Sequence, residues 1–411
     1  MISSTSLSFP KIHSINPASI KLAASKSISN RVLIIDALCD KPSKLQNLSE
    51  ARDTRLMIKL LAEPSEIIDV KDAGTTMRFL TGYFSLTNQH KLMTGTPRMQ
   101  QRPIGILANA LQTLGADIEY LAKTGYPPLR TCGFPEQKTD KIQIPGDISS
   151  QYISSLLMMS PALPLGLHIT MTGKIMSRPY IEMTLGLMNR FGVSYSWKNQ
   201  EISIPSQKYQ PTTIKVESDW SAASYWYSIV ALSRDTEITL LGLEEQSLQG
   251  DRQIAAIMKE LGVVTQFHQS GVTLSRTAVN TRTLNWDFSS CPDLGPTVMA
   301  TCAALGVSCH ATGLESLRIK ETDRIAALQK ELSKIGARLL EDSGKWTLQP
   351  VVDFDDSMTV TFDTYEDHRM AMALAPLALR LPVTINDPKV VRKSYPGFWN
   401  DLSLVGFRSI D

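Results

Sequence analysis

Six stretches of this sequence follow one pattern. Polar or small residues open each, and an apolar run rich in Ala, Ser and Met follows. They occupy 25–38, 74–84, 149–163, 219–232, 293–305 and 367–379, with starts separated by 49, 75, 70, 74 and 74 residues. Segments apolar or small nearly all the way round predict buried helices. A second series couples a helical pattern closed by glycine to a strand-like run, at 107–115, 185–192, 254–262 and 325–336. Gly115, Gly192, Gly262 and Gly336 lie 77, 70 and 74 residues apart, and Gly406 follows 70 later. Each glycine suits the position just past a helix, where positive φ is inexpensive for it. These helices carry charge and are expected outside. Two series with one period predict six α/β units in two halves of three. The period exceeds the roughly 20–50 residues of solenoid repeats.

Composition agrees. The 411 residues suggest two or three domains at roughly 150 each. With 43% apolar and 20% charged residues, the chain can bury a large core, which excludes wholesale disorder. No apolar run approaches the ~18 residues of a membrane span, and the N-terminus shows no targeting pattern. A net charge of +2 argues against a dedicated nucleic-acid binder but leaves room for a local basic pocket. Five cysteines with no C-x-x-C fit a reduced cytoplasmic protein better than a disulfide scaffold or zinc site. The histidines at 13, 90, 168, 268 and 310 fall in no ligand spacing, so no metal is expected. The phosphate-loop and dinucleotide glycine motifs are both missing.

What changes the picture is where the cations fall. The first buried segment opens Ser25-Lys26-Ser27-Ile28-Ser29-Asn30-Arg31. Helix N-termini attract anions and disfavour cations, unless an anion sits between. Hydroxyls, a Lys and an Arg there suggest an anion site; simple serine capping is the alternative. Gly74-Thr75-Thr76 and Ser149-Ser150-Gln151 open two further helices, and alone are unspecific. Basic clusters open the charged helices at 98–103, 177–180 and 318–324, and Asp367-His368-Arg369, Lys389 and Lys393 follow. Recurrence at matching repeat positions predicts that the fold gathers them around one cleft suited to multiply charged anions. Asp293 and Glu321 are the candidate proton-transfer groups, kept ionised by neighbouring cations. For Asp293 the alternative is an N-cap of the helix that follows.

Together these residues resemble the enolpyruvyl transferase family, in its branch acting on shikimate-3-phosphate. The matching segments are SKSISNR (25–31), DAGTTMRF (72–79), PRMQQRPIG (97–105), SSQ (149–151), SRPYIE (177–182), LQGD (248–251), PD (292–293), RIKETDR (318–324), DHRMAM (367–372) and DPKVVRKSYPGFW (387–399). They run in family order over nearly the whole chain. The resemblance implies two domains, each of three small α/β units, with buried helices whose N-termini face an interdomain cleft. One domain would be discontinuous, 1–19 with 218–411, and the other would be 20–217.

The resemblance assigns Lys26, Ser27, Arg31, Ser149, Ser150, Gln151, Ser177, Tyr180, Asp293 and Lys320 to shikimate-3-phosphate. To phosphoenolpyruvate it assigns Lys26, Gly74, Arg102, Gln151, Arg324, Arg369 and Lys393. Lys26, Asp293, Glu321 and His368 form the catalytic set, with Asp293 the base for the 5-hydroxyl and Glu321 with Lys26 the proton relay. It further implies a cytoplasmic monomer of aromatic amino acid biosynthesis, with no cofactor, no metal, no nucleic-acid partner and no membrane, and a target of glyphosate, for which Gly74 leaves room.

The chain departs from the family pattern at Ala23-Ala24 (usually Pro-Gly), Asp72 (usually Asn, here a possible helix cap), Phe79 (usually Pro or Leu) and Ser316 (often Asn). The sister branch acting on UDP-N-acetylglucosamine is disfavoured, because its loop cysteine is replaced by Pro97. A non-catalytic phosphometabolite-binding paralogue is disfavoured because the acids and cations are all present. An RNA-processing protein of related fold lacks a basic stripe.

Overall fold

The computed structural model describes residues 5–351, 355 and 358–410. The chain forms two compact units. A central unit comprises Ser25–Ser49 and Asp53–Val216; a terminal unit comprises Met1–Ala24, Glu50–Arg52 and Glu217–Asp411. Residues 20–24 fall with the terminal unit because Ala18–Lys21 is a strand of it, pairing in parallel with Glu237–Leu241.

The central unit carries helices α1 (Lys26–Ala37), α2 (Arg52–Leu61), α3 (Gly74–Leu86), α4 (Pro97–Gln100), α5 (Gly105–Leu114), α6 (Ser150–Met159) and α7 (Arg178–Arg190). The terminal unit carries α8 (Trp220–Leu232), α9 (Ile254–Glu260), α10 (Gly295–Leu305), α11 (Arg324–Ser333), α12 (His368–Leu374) and α13 (Phe398–Leu404). All six apolar segments are helices, and α12 continues as a 3-10 turn over Ala375–Leu379. Gly115, Gly192, Gly262 and Gly336 all take positive φ, between 82° and 123°. The second series lacked a member in the first repeat. That helix is α2, followed by Ala62 rather than a glycine.

Each unit repeats one sheet topology twice. In the central unit Lys141–Pro145 runs parallel to Leu167–Thr172, which pairs antiparallel with Glu201–Ile204, which pairs with Ser196–Lys198. Ile67–Asp69, Lys91–Thr94, Leu129–Thr131 and Ile118–Tyr120 reproduce that order. The terminal unit does the same from Ala18–Lys21 and from Thr283–Asp287. The third sheet of each unit is smaller. Lys44–Gln46 pairs with Thr213–Lys215, and Val360–Phe362 pairs with Val383–Asn386, whose other edge takes Ser6–Phe9. Chain segments far apart in sequence thus close each unit.

Inside the sheets, α1, α3 and α6 pack together in the central unit, and α8, α10 and α12 in the terminal unit. Small residues permit close approach, and the buried hydroxyls need partners. Thr81 and Thr301 donate to the carbonyls of Met77 and Thr297 four residues back, both at 2.7 Å. The Thr301 hydroxyl also lies 2.7 Å from the Ser228 hydroxyl across helices, and with its own proton on Thr297 it accepts there.

Candidate active site

In the central unit, Ser25 caps α1 by accepting from the Ile28 amide, so Lys26 stands at the first helical position. Its ammonium lies 3.4 Å from Asp53 on α2, a carboxylate only 4% exposed. Arg31, one turn on, is buried. It donates to Thr184 at 2.7 Å, to Ser154 at 3.0 Å and to the Ser27 carbonyl at 2.9 Å. Its guanidinium lies 5.4 Å from the Phe79 ring and 5.8 Å from the Tyr180 ring. Burial lowers it to about 10, and Tyr180 works against that, so the charge persists at neutral pH. Arg31 therefore ties α1 to α6 and α7, and the unusual Phe79 is part of its housing.

Gln151, two residues past the N-cap Ser149, donates to Thr75 at the start of α3 at 3.0 Å, so the two N-termini lie side by side. The Arg102 guanidinium lies over Gly74, where an added Cβ would fall 2.7 Å from both terminal nitrogens. Arg78 donates to the Pro103 carbonyl at 2.7 Å, and the Tyr152 hydroxyl bonds the same oxygen at 2.5 Å. Both brace the residue after Arg102. Ser150 and Ser177 are buried, and Ser177 adopts the left-handed region just before α7. The N-cap of α3 is Ala73, so Asp72 does not fill that position.

The terminal unit holds a denser cluster. Asp293 lies in a 3-10 turn before α10, and Leu294 is the N-cap, so the capping alternative for Asp293 fails. Its carboxylate instead meets Arg324 at 2.9 Å, Arg369 at 3.0 Å and Lys320 at 3.4 Å. Arg324, 1% exposed, also bonds Asp367 at 2.7 Å and Glu321 at 2.8 Å. Lys393 lies 3.5 Å from the other oxygen of Glu321. Asp367 caps α12 by accepting from the Arg369 amide, and His368 Nδ1 lies 3.6 Å from it. Arg369 also donates to Ser221 at 3.3 Å, and the Ser221 hydroxyl bonds Asp251. The starts of α8, α10 and α12 therefore converge, each with a charged or hydroxyl side chain. Ser316 Oγ is buried with no hydrogen-bond partner among the described residues.

Electrostatics follow from the packing. Burial alone would raise the Asp293 carboxyl. Arg369, Lys320 and Arg324 reverse that and hold it far below the usual carboxylate range. Asp251 goes the other way. Burial raises it to about 6, Arg369 opposes and Asp293 adds to the rise. Arg324 is held above its ordinary value despite burial, by Asp367, Glu321 and Asp293. Asp293, Glu321 and Asp367 thus meet around the Arg324 guanidinium, with Lys320 and Arg369 on Asp293 and Lys393 on Glu321. Asp53, Ser221, Asp251 and Asp367 were not assigned, although Asp251 and Asp367 lie within the matching motifs. Asp53 and Asp367 are buried acids facing assigned residues, Lys26 and Arg324, and the half-buried Ser221 links the buried Asp251 to Arg369.

Cations at helix starts, neutralised by the chain's own carboxylates, define an α/β protein built to handle anions. A model of EPSP synthase (3-phosphoshikimate 1-carboxyvinyltransferase) matches residues 12–63 and 60–402. A 3-phosphoshikimate 1-carboxyvinyltransferase of Bacteroides fragilis strain YCH46 is 50% identical over 392 residues, 95% of each chain. One of Neisseria meningitidis strain FAM18 is 34% identical over 418 residues, covering 95% of this chain and 96% of that one. The solved structure of EPSP synthase from Acinetobacter baumannii superposes with a TM-score of 0.82 at 19% identity, over 99% of both chains, and shares the fold. The chain belongs to the EPSP synthase family.

Proposed function

We propose that this protein transfers the enolpyruvyl group of phosphoenolpyruvate to the 5-hydroxyl of shikimate-3-phosphate and releases phosphate. The observation that carries the reading is the Asp293–Arg324–Glu321 cluster with Lys320, Arg369 and Lys393 around it. It supplies acids and cations within hydrogen-bond reach of one another, inside a chain of this family. In the addition step the 5-hydroxyl gives its proton to Asp293, its oxygen bonds C2 of phosphoenolpyruvate, and C3 takes a proton through Glu321 and Lys26. In the elimination step C3 returns a proton as the C2–O bond to phosphate breaks, leaving the enol ether. Lys and Arg stabilise the leaving phosphate, and positioning supplies much of the acceleration. Lys26, Ser27, Arg31, Ser149, Ser150, Gln151, Ser177, Tyr180 and Lys320 are proposed for shikimate-3-phosphate, with Asp293. Gly74, Arg102, Arg324, Arg369 and Lys393 are proposed for phosphoenolpyruvate, with Lys26 and Gln151, and His368 joins the catalytic set.

The reading includes a cytoplasmic monomer; the five unpaired thiols support the compartment. The test is phosphate release from phosphoenolpyruvate by purified protein, with shikimate-3-phosphate in one reaction and UDP-N-acetylglucosamine in another. Release with shikimate-3-phosphate alone is expected. Release with the nucleotide sugar, or with neither, overturns the reading.

A further inference from the structure

We infer that Glu331 sets the position of the Asp367–His368–Arg369 segment through Tyr365, and is a positioning residue for the reaction proposed above, on which this inference rests. Glu331 lies seven residues from Arg324 on α11, so both project from one face of the helix. Each grips the chain between 361 and 367. Arg324 takes the Asp367 carboxylate at 2.7 Å. Glu331, fully buried, accepts the Tyr365 hydroxyl at 2.5 Å through one oxygen. Through the other it accepts the Asp363 amide at 2.9 Å and Lys334 at 2.6 Å.

Charged neighbours complete the grip. Lys334 donates to the Thr361 carbonyl at 2.9 Å and lies 3.3 Å from the Asp363 carboxylate. Asp363 also accepts from Asn386 at 2.8 Å. The Lys330 ammonium lies 5.6 Å from the centre of the Tyr365 ring. Burial first, then the Glu331 carboxylate, pushes the Tyr365 phenol up, so it stays a neutral donor.

The gripped segment needs holding. Tyr365 and Glu366 both have positive φ, 53° and 57°, a region that L side chains enter at a cost. Directly after them come Asp367, which caps α12, and Arg369, which meets Asp293 and Ser221. A relaxed turn would move all of them relative to Arg324. A buried carboxylate is also a costly way to fill a core position, and an apolar side chain would serve if packing were its only role.

The test compares wild type with Tyr365→Phe, which keeps the ring and loses the donor. Expected is an about fivefold rise in KM for phosphoenolpyruvate, with KM for shikimate-3-phosphate unchanged and a melting temperature within a few degrees of wild type. Amide exchange at 366–370 should quicken. Adding Glu366→Gly, which accepts positive φ freely, should return part of both changes. Unchanged KM with kcat reduced only in proportion to folded protein, and unchanged exchange, overturns the inference. If wild type turns over neither acceptor, the functional reading falls. Exchange and its rescue by Glu366→Gly still decide whether Glu331 and Tyr365 position the segment.

Discussion

Asp293→Asn separates the two things this carboxylate does. In the resting protein it neutralises Arg324, Arg369 and Lys320, at 2.9, 3.0 and 3.4 Å. In turnover it is the proposed base. The amide keeps the shape and an acceptor oxygen but removes the charge, leaving Glu321 and Asp367 to balance the cations. Breaking a buried ion pair by removing one partner costs about 3–5 kcal/mol. An isosteric amide falls near the low end, about 3 kcal/mol. For a unit of roughly 200 residues that is about 6–12 °C in melting temperature. Losing a positioned base lowers kcat by about 10²–10⁴. Affinity should move oppositely, since Arg369 and Lys320 are freed for an anionic ligand.

The assay is a paired one: single-turnover phosphate release, and the rise in melting temperature on adding phosphoenolpyruvate with shikimate-3-phosphate. Asp293→Asn should show little turnover and a larger ligand-induced rise than wild type. A variant that retains more than about a tenth of wild-type kcat refutes the base assignment. One that binds phosphoenolpyruvate more weakly refutes the electrostatic argument.

Asp251 ionises near pH 6 in the folded chain against 3.8 ordinarily, so the folded state holds a proton that the unfolded state has released between those values. Stability from this group is present below about pH 4, falls as pH rises to about 6 and is flat above, by about 3 kcal/mol in all. Denaturant titrations of wild type and Asp251→Asn should therefore diverge in favour of the variant over that window, and parallel curves would contradict the shift. Gly74→Ala places a methyl against the flexible end of Arg102 and should lower kcat/KM for phosphoenolpyruvate about 10- to 100-fold, with folding little changed by calorimetry. Maleimide should label Cys39 and Cys132 in the native protein, and Cys291, Cys302 and Cys309 only after unfolding, by mass spectrometry.

The repeat was legible because its signals are local. A helix of apolar and small residues with no charge, such as 295–305, announces burial, and a glycine such as Gly262 marks where the next helix ends. α2 escaped because Ala62, which carries no such mark, follows it. At the site, cations against a helix dipole were legible as an anomaly, but their resting partners were not. Arg324 and Asp367 are 43 residues apart, and Arg31 and Thr184 are 153 apart. Nothing in either local sequence encodes such a pairing. Asp293 shows the limit from the other side: Pro292-Asp293 ahead of a helix has the local form of a cap, and only the surrounding arginines show that its charge is used elsewhere.

That use raises a problem which the chemistry itself resolves. A carboxylate held far below its ordinary pKa by three cations is a poor base. The cations doing this, Arg324, Arg369 and Lys320, are those proposed to take the anions of phosphoenolpyruvate and shikimate-3-phosphate. An arriving phosphate or carboxylate shares them, weakens their hold on Asp293 and lets its proton affinity rise toward the working range. Asp251 is tied to the same groups, because Arg369 lowers it and Asp293 raises it. When Arg369 turns to a ligand, Asp251 should rise further and hold its proton more tightly. Base strength at Asp293 would then be a property of the occupied site, and the free protein would be spared a reactive carboxylate until both substrates are present.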